Sequence, residues 1–433
     1  MVNVNFPVPD RIPGRLINDP QHLYYLKQHL ANLCGLKSTQ KFPGSQPVSF
    51  TCESLELLES EDFWVCEKSD GVRVMVLIVV KASPQGPIQE VYFINRKDEF
   101  YLIDNIIFPY FENPNRYLKD TILDGELVID IEPNRNNKQS LKFLAFDCIV
   151  WEGDTLMKRP LINRYGRLKD WVIAPHNRLL QTQPALKKHM PFEVELKKME
   201  LAYGIDKVFR QDLPKLKHGN DGLIFTSAIA PYQMGTDPKI LKWKPPSENS
   251  IDFRLELRFP PREGEPNEAD FYKKPLFILM MNCGNDGEQF FDTIEMSDEE
   301  WTERKKRREQ LDNRVVEVVW DNTKNTWKLL RFRDDKTTGN YKDVVFKIII
   351  SIRDGVEADE LCKRSGKIRA AWKARADAAK FNKPPSNNPS YQQTKNMPTL
   401  RARPSGSGIP ITIVGGNPMT AGRRKRFTRP VPA

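Results

Sequence analysis

Cysteine is scarce in this 433-residue chain, and its placement excludes several chemistries. The six thiols (Cys34, Cys52, Cys66, Cys148, Cys283, Cys362) include no C-x-x-C pair, so they read as free thiols rather than disulfides or a zinc site. Five histidines show no ligand spacing, so any metal must be held by oxygen, which points to magnesium or manganese. No apolar run reaches the roughly 18 residues needed to cross a bilayer, so no membrane span is expected. Met1–Ile12 contains Pro7, Pro9 and Asp10 and no apolar signal core, so an intracellular protein is expected. Acidic residues are missing from residues 380–433, which hold ten Lys or Arg. The rest of the chain balances 57 basic against 57 acidic residues, so the whole net charge of +10 sits in this tail. A basic patch elsewhere must come from arrangement, not composition.

With 39% hydrophobic and 29% charged residues, the length suits a folded protein of two or three domains. A helix is expected near Asp19–Leu33, followed by a linker. Short alternating runs then recur between turn signals: Phe63–Glu67, Val72–Val80, Glu90–Asn95, Ile122–Ile131, Leu141–Val150, Leu223–Thr226 and Ile240–Lys244. Helical stretches interrupt them at Ile162–Val172 and Lys198–Arg210. The pattern predicts an α+β fold with antiparallel sheets over residues 1–244. Pro245-Pro246 marks a break. Beyond it, Ile251–Phe259, Leu276–Asn282, Val315–Trp320 and Thr326–Phe332, with a charged helix at Asp298–Leu311, predict a small OB-fold barrel over residues 245–353. A helix bearing Val344, Val345, Ile348, Ile349 and Ile352 follows, then a basic one near Glu357–Lys380, with residues 355–380 expected to complete the first domain. The Pro-, Ser-, Asn- and Gly-rich tail, residues 384–433, is expected to be disordered.

KSDGVR, Lys68–Arg73, is the most informative segment. It places an amine two residues before an Asp-Gly turn and five before an arginine, between two predicted strands. A lone lysine near a turn is usually solvated; this combination is what an attack on a nucleotide α-phosphate needs. Gly71 gives the backbone freedom to approach a phosphate. The attacking amine must be neutral, whereas an ordinary lysine titrates at roughly 10.4, so neighbouring cations are required to favour the uncharged form.

The sequence supplies them. Lys242 and Lys244 alternate in LKWK, which on one strand would aim both at one face. Arg96, in FINRKDEFYLI, is placed before a turn, where it can meet a sugar or phosphate. LDGELV (Asp124, Gly125, Glu126) and NDGLIF (Asp221, Gly222) are each, taken alone, more often hairpin turns; their alternative use is to accept ribose hydroxyls or hold Mg²⁺. RFRDDK, Arg331–Lys336, is either a solvated charged loop or a grip on a departing pyrophosphate, which from a second domain would act only on closure. RRKRFTR, Arg423–Arg429, suits nuclear import, RNA contact or a plain solvated tail.

In order, KSDGVR, FINRKDEFY, LDGELVID, FLAFDCI, NDGLIF, LKWKPP and RFRDDK resemble the covalent nucleotidyltransferase superfamily of mRNA capping guanylyltransferases and polynucleotide ligases, over about Pro7 to Asp354. LKWKPPSENSIDFRLELRF and WKLLRFRDDK favour the capping branch, of the stand-alone fungal type. The resemblance implies Lys68 as the GMP-accepting nucleophile and Arg73, Arg96 and Glu126 as nucleotide contacts. It implies Asp221 at the metal-linked position, Lys242 and Lys244 at the α-phosphate, and Arg331, Asp335 and Lys336 at the β- and γ-phosphates. A guanine-reading lysine follows FEVEL: Lys197, with Lys198 the alternative. It further implies GTP and 5′-diphosphate RNA as substrates, Mg²⁺ or Mn²⁺ as cofactor, a separate RNA triphosphatase subunit, the phosphorylated tail of RNA polymerase II as partners, and a nuclear location. An ATP-dependent ligase and an inactive RNA- or polymerase-binding scaffold on the same fold are the alternatives. One departure is Gly339-Asn340, where family members often have Pro-Asn.

Overall fold

The computed structural model describes residues 6–37, 42–133 and 136–381. The tail and its Arg423–Arg429 cluster lie outside the described residues. In chain order the elements are β1 (Arg15–Leu16), α1 (Pro20–Cys34), β2 (Ser45–Ser49), α2 (Cys52–Ser60), β3 (Phe63–Ser69), β4 (Val72–Lys81), β5 (Ile88–Ile94), β6 (Phe100–Ile103), β7 (Thr121–Glu132), β8 (Lys138–Trp151) and β9 (Asp154–Thr155). Then come α3 (Leu161–Arg167), a π-helical turn (Leu168–Ile173), α4 (Ala174–Thr182), α5 (Pro184–Lys187), β10 (Glu193–Leu196), β11 (Glu200–Leu201), α6 (Ile205–Lys207), β12 (Asn220–Ser227) and β13 (Gly235–Trp243). The last are β14 (Ser250–Arg258), β15 (Pro261–Arg262), β16 (Glu265–Ala269), β17 (Leu276–Asn282), β18 (Glu288–Ile294), α7 (Asp298–Lys306), β19 (Arg314–Asp321), β20 (Thr326–Phe332), α8 (Lys342–Arg353) and α9 (Ala358–Phe381).

Two sheets and a barrel organise these strands. The larger sheet runs β1-β6-β5-β4-β7-β8-β10, with β9 beside β8; the smaller runs β11-β3-β12-β13-β2. Pairing is mostly antiparallel, as the alternating runs predict, but β8–β10, β2–β13 and the β18–β20 closure of the barrel are parallel. β4 (VRVMVLIVVK) is a nearly continuous apolar run because both of its faces are covered. Val74, Val76 and Ile78 meet Leu168 and Val172 on one side, and Met75, Leu77 and Val79 meet Leu26 and Leu30 of α1 on the other. α1 starts where Asp19 accepts from the His22 amide and ends at Gly35 in the left-handed region, as its boundaries predict.

Phe63, Val65, Leu223, Phe225, Leu241 and Trp243 line the outer face of the smaller sheet. α9 covers this face through Leu361 and Ile368 and is tied to α2 by Arg364–Glu59. The chain thus returns after the barrel to close the first core. β14-β17-β18-β20-β19 form a closed five-stranded barrel around Phe253, Leu255, Leu279 and Val316. Residues Met1–Asn382 form one unit that contains both regions.

Several local expectations need correction. Between the expected linker and Phe63 the chain forms two elements without a strong sequence signal, β2 and α2. The helix expected from Lys198 begins only at Ala202, because Glu200–Leu201 pairs with β3 first. The charged helix ends at Lys306 rather than Leu311.

Candidate active site

The two sheets face each other, and the turn between β3 and β4 crosses from the smaller to the larger. KSDGVR is therefore a crossing and not a hairpin. Lys68 is the penultimate residue of β3, and Arg73 the second of β4. The crossing is pinned by the Asp70 amide, which donates to Gly219 O at 2.8 Å. Gly71 is obligatory there: a Cβ would lie 2.3 Å from Leu127 O. Neither further Asp-Gly pair is a hairpin turn. Asp124-Gly125 sits within β7, and Asp221-Gly222 sits at an irregularity in β12, where Gly222 has φ of 138° and a Cβ would lie 2.0 Å from Trp243 O.

A cavity of about 150 Å³ lies between the sheets. The smaller sheet gives it Cys66, Lys68, Ile224 and Ile240, and the larger gives Arg73, Glu126 and Phe146; Arg96 and Lys197 complete the polar wall. Strand alternation places Cys66 and Lys68 on this face and Val65 and Phe63 in the core behind it.

Lys68 Nζ donates to Asp221 Oδ1 at 2.5 Å, and Lys244 pairs with the other oxygen of the same carboxylate. Burial opposes ionisation of Asp221, but Lys244 and Lys68 hold its carboxyl below the usual range. Lys242 has no ion pair among the described residues; burial and then Lys68, Lys244 and Arg96 lower its pKa. Positive charge is thus concentrated beyond what the protein neutralises. Lys244 lies one residue past the end of β13, and the two lysines converge, through Asp221 and by charge, on Lys68. Cys66 lines the same cavity, but burial pushes its thiol up to about 12, so it is no thiolate at neutral pH.

Arg73 is clamped rather than free. Its Nε and Nη2 donate to Asp124 at 3.0 and 2.6 Å, and Nη1 to Ser45 O at 2.5 Å. Asp124 is fully buried and also accepts from the Tyr232 hydroxyl at 2.6 Å. Burial raises the Glu126 carboxyl above its ordinary value against the pull of Lys197, Lys68, Arg73 and Arg96. Arg96 is exposed at the rim, in the turn after β5. Of the two candidate lysines after β10, Lys197 is buried in the wall, donating to Ser69 Oγ at 2.5 Å and lying 3.2 Å from Glu67; Lys198 is outside, paired with Asp212 and Glu200.

The barrel motif is not part of this cavity. Arg331 Nε donates to Glu317 at 2.6 Å, Arg333 lies 3.2 Å from Asp252 and donates to Asp335, and Lys336 pairs with Asp252. Gly339 belongs to the same corner, where a Cβ would lie 2.7 Å from Asp252 O, and Asn340 Oδ1 accepts from the Asp252 amide at 2.8 Å. The sequence reading assigned no role to Phe146 or Tyr232, and none to Glu67 or His218. An aromatic at the pocket-facing position of FLAFDCI is the one signal that points to Phe146.

Among the described residues no group of three or more His, Cys, Asp or Glu is arranged to hold a metal. Asp221, a single partly exposed carboxylate beside the amine, fits the other mode of magnesium binding, in which one or two carboxylates share the ion with substrate phosphates and water.

Glu67 lies just behind the cavity. Burial works against its ionisation, yet Lys197 and His218 outweigh this and hold its carboxyl at about 2. Its folded pKa lies below the unfolded value, so it adds stability above about pH 4.5 that is lost as the pH falls towards 2, on the order of 3 kcal/mol. Urea unfolding should therefore weaken more steeply over that interval in the wild type than in Glu67→Gln; equal slopes contradict this.

Two lysine amines, Lys68 and Lys244, share the Asp221 carboxylate in a two-sheet cleft with surplus positive charge. Comparison with known proteins gives the family of the chain. The description "mRNA capping enzyme, catalytic domain" matches residues 9–246, and "mRNA capping enzyme, C-terminal domain" matches residues 248–362. The mRNA-capping enzyme subunit alpha of Neurospora crassa is 40% identical over 373 residues, covering 82% of this chain and 92% of that one. Its Schizosaccharomyces pombe counterpart is 39% identical over 349 residues, covering 80% and 85%. The mRNA-capping enzyme of Danio rerio is 29% identical over 348 residues, covering 79% of this chain and 53% of that longer protein. The chain belongs to the mRNA capping enzyme family.

Proposed function

We propose that this chain is a GTP:RNA guanylyltransferase that caps nascent mRNA, acting in two steps through Lys68. The observation that carries the reading is the Lys68–Asp221–Lys244 constellation beside Lys242, in a cavity lined by Arg73, Glu126 and Lys197. In the first step the Lys68 Nζ lone pair forms a bond to the GTP α-phosphorus, the bond to the bridging oxygen breaks, and pyrophosphate leaves with that electron pair. Asp221 is positioned to accept the amine's proton, and Lys242 and Lys244 offset charge on the α-phosphate. Glu126 and Arg96 meet the ribose and phosphates, and Arg73, already fixed by Asp124, presents a preset edge of the pocket. Lys197 donates to the guanine 6-oxygen. In the second step a terminal oxygen of a 5′-diphosphate RNA attacks the lysyl-GMP phosphorus, and the amine is released.

Mg²⁺ or Mn²⁺, held by Asp221 and the substrate phosphates, would supply further charge neutralisation at the α-phosphate. Arg331, Asp335 and Lys336 serve the β- and γ-phosphates, which requires the barrel to approach the cleft and exchange the Asp252 and Glu317 pairs for phosphate contacts. In this reading residues 1–244, completed by α9, are the nucleotidyltransferase domain, and residues 245–353 are an OB-fold domain. The relatives named subunit alpha support a multi-subunit assembly. A separate RNA triphosphatase and the phosphorylated polymerase II tail are the proposed partners, and the nucleus the proposed location.

Incubation with α-labelled GTP or ATP, followed by a denaturing gel, tests the reading. Adduct from GTP should reach half-maximum at a concentration at least about tenfold below that for ATP, because a site built to donate to a 6-oxygen loses that bond against a 6-amino group. Preferential labelling by ATP would replace the guanylyltransferase with a ligase-type enzyme, and RNA binding without adduct would make it a scaffold.

A further inference from the structure

A second line of buried charge runs back from Lys197 at the base of the cavity, and beyond Lys197 the chemistry above makes no use of it. Lys197 Nζ lies 3.2 Å from Glu67 Oε1 and donates to Ser69 Oγ, which is 3.3 Å from the same carboxylate oxygen. On the far side of Glu67, His218 Nε2 is buried 3.7 Å from Oε1, facing it without a hydrogen bond. His218 Nδ1 lies 2.7 Å from Asp130 Oδ1, and Lys142 Nζ is 2.9 Å from Asp130 Oδ2. The residues come from three strands, β3, β7 and β8, from the residue after β10 and from the segment before β12. The side chains of Lys197, Glu67, His218 and Asp130 are each 12% exposed or less.

Two features set this line apart from ordinary packing. Burying several charges costs more than apolar side chains of similar volume would, so stability alone does not account for it. His218 is also caught between two carboxylates, Asp130 on β7 and Glu67 on β3, with Lys142 of β8 behind Asp130. Burial pushes its pKa down, but these two carboxylates outweigh that and raise it above the ordinary value. The His218 ring backs Glu67 from behind at 3.7 Å, and Glu67 in turn lies 3.2 Å from the Lys197 ammonium that reaches the cavity wall.

We propose that Asp130, His218 and Glu67 form a positioning relay that sets the Lys197 ammonium for a purine bearing a 6-oxygen, and so contributes to base selection. The proposal rests on the reading of Lys197 given under the proposed function. Glu67, His218 and Asp130 touch no substrate in it; they act through Lys197. Asp130 stands two residues in the chain beyond Val128, and its partner His218 is 88 positions away, so the relay has no local sequence signature.

The test compares GTP with 2-aminopurine riboside triphosphate, which lacks the 6-oxygen, as donors in adduct formation. It uses the full chain and its His218→Ala, Glu67→Gln and Lys197→Ala forms. Half-saturating GTP should rise about tenfold in His218→Ala and in Glu67→Gln, the size expected for one charge-assisted hydrogen bond, with the maximal labelling rate within about twofold of wild type. Half-saturating analogue should not change. Adding His218→Ala to Lys197→Ala should cost nothing further, because the two act through one contact. Glu67→Gln, close to isosteric, keeps the test open if His218→Ala lowers the folded yield. Equal losses for both nucleotides, or unchanged GTP saturation in both variants, would overturn the relay while leaving the enzyme reading intact. A wild-type chain that takes no label from GTP would overturn both.

Discussion

Lys68→Ala should reduce covalent GMP labelling to background while GTP still binds, its affinity changed less than about tenfold. The asymmetry follows from the site. Lys242, Lys244 and Lys197 still supply positive charge to the site, and of these only Lys242 is without an ion pair among the described residues. Lys244 is committed to Asp221, Lys197 is buried against Glu67 and Ser69, and the Cys66 thiol stays protonated. Lys68→Arg should be equally inactive, because a guanidinium does not lose its proton under these conditions. Neither change should unfold the chain: Lys68 is partly exposed and Asp221 keeps Lys244, so the expected stability change is within about 1 kcal/mol. Filter binding of labelled GTP alongside the denaturing gel separates binding from bond formation. Residual adduct in Lys68→Ala would place the nucleophile elsewhere.

The largest stability effect should come from Asp124→Ala, at about 3–5 kcal/mol. Asp124 has no exposed surface and satisfies three donors, Arg73 Nε, Arg73 Nη2 and the Tyr232 hydroxyl. Its removal leaves the largely buried Arg73 guanidinium with the backbone oxygen and hydroxyl of Ser45, and a phenol without its acceptor. The same pair forms the wall beside the nucleophile, so nucleotide affinity should fall with stability. Urea unfolding followed by tryptophan fluorescence measures the first and equilibrium GTP binding the second. A loss of less than about 1 kcal/mol would show that the clamp is not what fixes Arg73.

The sequence makes some of this plain and hides the rest for physical reasons. The apolar run of β4 and the caps of α1 are local signals, and both elements appear where they indicate. β2 is hidden because SQPVS contains a proline and lies at a sheet edge, where proline costs no ladder bond that the sheet needs. α2 is hidden because it is short, although Thr51 and Ser54 cap it. β18 escapes notice because alternation is blurred at Phe290, which the barrel leaves exposed.

In the site, the chemistry-bearing letters are visible because each sits in a short motif. What they touch is not. The Asp-Gly pairs read as hairpin turns locally, yet both glycines lie within strands, at positions where neighbouring backbone or side chains leave no room for a Cβ. Arg73 and Asp124 are 51 positions apart, and Lys197 and Ser69 are 128. The first joins neighbouring strands of one sheet and the second bridges the two sheets, and no window of sequence encodes either pairing. Nor does spacing reveal that the barrel motif is held by Asp252 and Glu317, away from the cavity it resembles a part of.

The most direct measurement is to label the full chain with α-labelled GTP and a divalent metal, digest it, and map the modified peptide by mass spectrometry. The account predicts one GMP, joined by an acid-labile phosphorus–nitrogen bond to the peptide that carries Lys68. Label on any other side chain, or an acid-stable linkage, would contradict it.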